Sequence, residues 1–129
     1  MSSAERQYKV EYLGGHKAHP KETDTYVFIY PDSIEIGALG IWIPYKSILN
    51  IDNTEEKKVS AKRAVMMGAG ALLWKKKHLY TVIEYHDGYE NQKVIIDFDK
   101  DVEMAQPLIY NRMVKAKKET STQVKSSPL

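Results

Sequence analysis

Seven short runs of β-branched, aromatic and aliphatic residues divide this 129-residue chain, and most end at a glycine, proline or acidic turn. A single helical repeat takes over at Asp99. Tyr8–Tyr12 alternates apolar and polar residues, the period of a half-buried strand, and Gly14-Gly15 stops it. Thr25–Tyr30 and Ser33–Gly37 flank Pro31-Asp32, a turn opener that reads as a tight hairpin. Ile41–Tyr45 and Ser47–Asn53 follow, with Pro44 suggesting an edge or a bend where no N–H is needed. Leu79–Tyr85 and Lys93–Phe98 enclose the hairpin signal Asp87-Gly88.

Beyond Asp99 the period changes to three and four. Val102, Ala105, Ile109, Met113 and Ala116 form one apolar stripe. Asp99, Asp101 and Glu103 crowd its start and Lys115, Lys117 and Lys118 its end, matching the helix dipole. Pro107 predicts a kink, or a loosened first turn with regular helix starting near Gln106. Hairpin-linked runs favour an antiparallel sheet, and the stripe predicts a helix that covers its open end or face. One domain over residues 8–118 is expected, with flexible termini at 1–7 and 119–129.

Composition narrows the chemistry. Apolar residues make up 43% and charged residues 28%, which fits a globular chain and excludes wholesale disorder. With no cysteine there is no disulfide framework, thiolate metal site or cysteine nucleophile. The N-terminus lacks an apolar signal core, and the longest apolar run, residues 64–74, is far shorter than the ~20 residues of a membrane span. The expectation is a cytoplasmic protein with peripheral membrane contact.

Seven antiparallel strands and a C-terminal helix resemble the pleckstrin-homology-like superfold, which includes GRAM-type domains. Three segments are similar to its small prokaryotic members: Tyr12-Leu-Gly-Gly-His16, Ile43-Pro-Tyr-Lys-Ser-Ile48 and Asp97-Phe-Asp99. The resemblance implies a barrel or sandwich of about seven strands capped by one helix. It also implies a non-enzymatic module that binds membrane lipid or a protein. Lipid-binding members often carry a basic cluster around the first hairpin. Here Lys9, Lys17 and Lys21 are mixed with Glu11, Glu22 and Asp24, so the resemblance does not extend to that pocket.

The formal net charge of +2 conceals an asymmetry. Residues 1–56 carry five basic and nine acidic side chains, a balance of −4; residues 57–129 carry fourteen and eight, a balance of +6. Half of the later cations lie in 57–77, which has seven basic residues and no acid. Lys57, Lys58, Lys62 and Arg63 precede a mostly apolar stretch ending in Leu72, Leu73 and Trp74, and Lys75, Lys76 and Lys77 follow. Cations attract anionic lipid, and Trp favours the interface. These ten residues are therefore the candidate lipid- or partner-binding set. A packed insertion whose lysines solvate its ends, or a protein interface, would use the same pattern. Gly68 and Gly70 suggest a bend, because each lowers helix stability by about 1 kcal/mol relative to Ala.

Other chemistry is poorly represented. His16 and His19 share a loop with Glu22 and Asp24 but offer no convincing four-ligand zinc set. His78 and His86 bracket a strand. Asp97, Asp99, Asp101 and Glu103 suit a helix start better than a carboxylate pair. No nucleophile elbow or glycine-rich phosphate loop occurs. Trp74, Tyr80, Tyr85 and Tyr89 are candidates for base stacking, but the pI of about 8.6 is below the ~9 typical of nucleic-acid domains. No enzyme activity, cofactor or metal is expected.

Overall fold

The computed structural model describes residues 4–55 and 79–126. All seven sequence runs are strands: β1 (Arg6–Gly14), β2 (Thr23–Ile29), β3 (Ser33–Ile36), β4 (Ile41–Pro44), β5 (Ile48–Glu55), β6 (Leu79–His86) and β7 (Asn91–Asp97). One C-terminal helix, α1 (Val102–Ser126), follows a single 3₁₀ turn at Asp99–Asp101. Every strand pairing is antiparallel, in the order β4-β3-β2-β1-β7-β6-β5.

The mainly β architecture of seven antiparallel strands and one C-terminal helix is the expected one, and the strand order shows that the sheet is not a closed barrel. β4 and β5 are the two edges of one open sheet. β4 stops after four residues at Pro44, which has no N–H to continue a ladder, and the 3₁₀ turn Tyr45–Ser47 leads into β5. β5 then pairs with β6 through a register shift between Ile48 and Asn50. The two halves of the sheet are joined by β1, which takes β2 on one side and β7 on the other.

Period-2 alternation supplies the core. Tyr8, Val10 and Tyr12 of β1, Val27 and Ile29 of β2, and Val94 and Ile96 of β7 all turn to the same buried cluster. Each large aliphatic side chain taken out of water there contributes about 1.5–3 kcal/mol. Ala105, Ile109 and Met113 of α1 complete the cluster, as their spacing predicts. The Tyr8 and Phe98 rings meet edge to face with centroids 6.0 Å apart.

The helix starts earlier than Pro107 suggests and continues through it to Ser126. Pro107 has no N–H to bond the carbonyl of Glu103, four residues back, and both residues are exposed. Ahead of the helix, Asp99 adopts φ 55°, a left-handed conformation that Asp tolerates, and its N–H donates to Asp97 Oδ1 at 2.7 Å.

Candidate functional site

None of the ten sequence-chosen residues (Lys57, Lys58, Lys62, Arg63, Leu72, Leu73, Trp74, Lys75, Lys76 and Lys77) falls among the described residues. What is described is the stem that carries them. β5 and β6 remain paired to their last residues, Thr54 with Tyr80 and Glu55 with Leu79. Two residues further along β6, the Thr81 hydroxyl donates to Gln106 Oε1 of α1 at 2.9 Å. The stem therefore leaves the sheet beside the first turns of the helix.

A groove of about 890 Å³ lies between α1, the 3₁₀ turn after β4, and the β2–β3 turn. Trp42, Pro44, Tyr45, Leu108, Arg112 and Lys115 contribute to its walls. Arg112 organises it. One guanidinium nitrogen donates to the Tyr30 carbonyl at 2.8 Å, and another is ion-paired with Glu5. The Tyr45 hydroxyl donates to the same Tyr30 carbonyl at 2.8 Å. Burial works against the Arg112 charge, but the Glu5 and Tyr45 contacts outweigh it and hold its pKa above the ordinary value. Burial pushes the Tyr45 phenol up, partly opposed by Arg112. One side chain thus joins the segment before β1, the β2–β3 turn and the helix.

Trp42 forms the outer lip. It stands on edge strand β4, is 52% exposed, and stacks on Tyr30 with ring centroids 4.9 Å apart. The cations Lys46, Arg112 and Lys115 are balanced by Glu5, Asp32 and Glu119, so the groove has no net sign.

At the opposite end, the β1–β2 and β6–β7 turns lock together. Tyr12, fully buried, donates its hydroxyl to the His19 carbonyl at 2.5 Å and accepts the His16 N–H at 3.0 Å. His16 Nδ1 accepts the Ala18 N–H at 3.0 Å, which places the ring proton of the neutral imidazole on Nε2. Burial and the neighbouring His19 ring lower the His16 pKa, against the opposing pull of Asp87 and Glu90. Across the gap, Lys17 is ion-paired with Glu90, and its N–H donates to Gln92 Oε1 at 3.3 Å. Asp87 accepts the N–H groups of Tyr89 and Glu90 and the Gln92 amide, which together bring its pKa down to about 2.

His16 and His19 face each other at 5.2 Å between ring centroids, and among the described residues no three His, Asp or Glu side chains converge on one point. The His86 ring contacts Asn91 instead. Of the aromatics considered for base stacking, Tyr80 and Tyr85 are buried and Tyr89 is 94% exposed at a turn, so they share no surface. No helix among the described residues is long and apolar enough to cross a membrane.

The Arg112 clamp escaped the sequence reading, because its main acceptor is a backbone carbonyl 82 positions away. One signal was present: Arg112 interrupts the apolar side of the helix between Ile109 and Met113, where an unpaired cation would be costly. No protein family, curated protein or solved structure matches the chain.

Proposed function

We propose that the chain is a non-enzymatic binding module of the pleckstrin-homology-like type that attaches reversibly to anionic membrane through residues 57–77. The observation behind this reading is the acid-free basic connection, seven cations in 57–77, between two strands that stay paired up to Glu55 and Leu79. At about 1 kcal/mol per cation, halved for imperfect geometry, the charges provide roughly 3–4 kcal/mol, a weak reversible attachment. Leu72, Leu73 and Trp74 add about 1.5–3 kcal/mol for each side chain buried among lipids. The strand order and C-terminal helix are compatible with the superfold, and the exposed Leu79 at the stem extends the apolar character of the connection.

Co-sedimentation with phosphatidylcholine vesicles containing phosphatidylserine tests the reading. Binding rises with the anionic fraction, weakens with salt, and falls in the variant Lys75→Glu, Lys76→Glu, Lys77→Glu. Absence of binding at low salt overturns it.

A protein partner is the second reading, favoured by the exposed Trp42 at the lip of the groove. It requires a captured partner that Trp42→Ala releases, or, for self-association, a concentration-dependent mass above 14.8 kDa in light scattering.

A further inference from the structure

The C-terminal helix has two apolar stripes, and only one is covered. Ala105, Ile109 and Met113 enter the core. Met104, Tyr110 and Val114 are 58%, 49% and 43% exposed, and Pro107 between them is exposed as well. At about 100° per residue, these four positions fall within an arc of about 120° on the side of the helix away from the core. Lys118 lies on the same arc, one turn beyond Val114, with Lys115 and Lys117 at its borders; all three are exposed. Glu103 is the only acid on that arc.

We infer that this outer face of α1 is a second membrane contact. It lies flat in an anionic interface with Met104, Tyr110 and Val114 at the headgroup–acyl boundary and Lys115, Lys117 and Lys118 on lipid phosphates. The inference rests on the membrane reading above and extends it to residues that reading does not use. An apolar stripe bordered by lysines is the pattern of an interfacial helix, and Tyr favours the same depth. Position agrees, since Gln106 of the same helix is bonded to Thr81, two residues from the Leu79 stem.

Charge and area separate a membrane from a second copy. In a parallel pairing of two such helices the lysines face one another; in an antiparallel pairing each trio meets a single carboxylate, Glu103. The stripe from Met104 to Val114 is about 15 Å long. A strip of that length and one side chain wide falls well short of the roughly 800 Å² per partner of a stable protein interface. An anionic bilayer satisfies all three lysines and needs no complementary shape.

The absence of cysteine allows a direct test on the full chain. Tyr110→Cys and, as a control at the opposite end, Tyr89→Cys are labelled with an environment-sensitive fluorophore. Both are mixed with phosphatidylcholine vesicles with and without 30 mol% phosphatidylserine. The expected result is a blue shift at position 110 but not at 89, on anionic vesicles only. Lys115→Glu, Lys117→Glu, Lys118→Glu should lower the partition coefficient at least tenfold, given ~1 kcal/mol per cation, with an unchanged circular dichroism spectrum. Three results overturn the inference. If the chain binds and responds to the changes at 75–77 while the label at 110 stays in water, the outer face is not a contact, although the membrane reading stands. If neither labelled chain binds anionic vesicles at low salt, both readings fail together. If the label at 110 shifts without vesicles, in step with a doubling of mass, a second copy covers the face.

Discussion

At the end of the sheet carrying the β1–β2 and β6–β7 turns, polar groups find partners within the turns themselves. Tyr12 holds both sides of the His16–His19 turn, Asp87 gathers three donors, and Lys17 reaches Glu90. At the helix end, the β2–β3 turn relies on Arg112, a side chain from the far end of the sequence, and a groove of about 890 Å³ stays open beside it. The first arrangement leaves few donors for a ligand. The second leaves Trp42, the Lys46 and Lys115 side chains and the outer helix face facing solvent. Among the described residues, the surface left without internal partners lies on the side of the C-terminal helix.

The comparison breaks most sharply at Gly15. Its φ is +105°, and an added Cβ would sit 2.9 Å from the Lys93 carbonyl oxygen, which is backbone and cannot step aside. Gly15→Ala is expected to cost about 3 kcal/mol in urea unfolding, from left-handed strain plus the clash. Gly40→Ala, with φ +64° and nothing within 4 Å of the new methyl, should cost only about 1 kcal/mol. Equal losses would mean that the locked turns are not packed as described.

Next is the helix end. Arg112→Met keeps most of the stem but removes two charged contacts, and is expected to cost about 1–2 kcal/mol. Tyr45 still donates to the Tyr30 carbonyl, which keeps the loss below that of a fully orphaned group. Hydrogen exchange should accelerate at Tyr30 and Ser33 and stay unchanged at His16. Tyr12→Phe reverses that pattern, at about 1 kcal/mol, by removing the bonds to His16 and His19.

The smallest effects are those of pH. The carboxyl of Asp87 is held at about 2 in the fold, below its ordinary 3.8. The stability it contributes is present above about pH 4 and is lost as pH falls toward 2. Asp87→Asn should flatten the acid limb of the stability curve in that window. His16 is also lowered, so its contribution is present above its ordinary 6.5 and declines as pH falls below that value. A two-dimensional NMR titration should show the Ala18 amide shifting with the His16 ring, because protonation removes the acceptor at Nδ1.

All seven strands were legible because each run is local: alternation of period two between turn residues needs no knowledge of the partner strand. Ala105, Ile109 and Met113 were legible for the corresponding helical reason. The β1–β7 pairing was not, because Tyr12 and Ile96 are 84 positions apart and every strand carries the same pattern. Pro44 pointed to an edge or a bend and lies on edge strand β4, but the second edge, β5, followed only from the strand order. The ten residues of the basic connection were visible as composition, while the groove between the helix and the β2–β3 turn was not. Its organiser binds a carbonyl, and carbonyls carry no sequence signature. The outer helix stripe was masked by the stronger inner one, although Met104, Pro107, Tyr110 and Val114 have the same kind of spacing.

The central place of β1 has a consequence for synthesis. The first strand made needs β2 on one side and β7 on the other, and β7 ends at Asp97. While residues 45–90 emerge from the ribosome, β1 to β4 can pair among themselves, yet the far side of β1 keeps a bare row of amides and carbonyls beside Tyr8, Val10 and Tyr12. Long-range pairing of this kind is slow, and unfinished strands invite wrong partners. A chain truncated after β6 retains six of its seven strands and is expected to be the form most likely to enter inclusion bodies, more so than one lacking only α1.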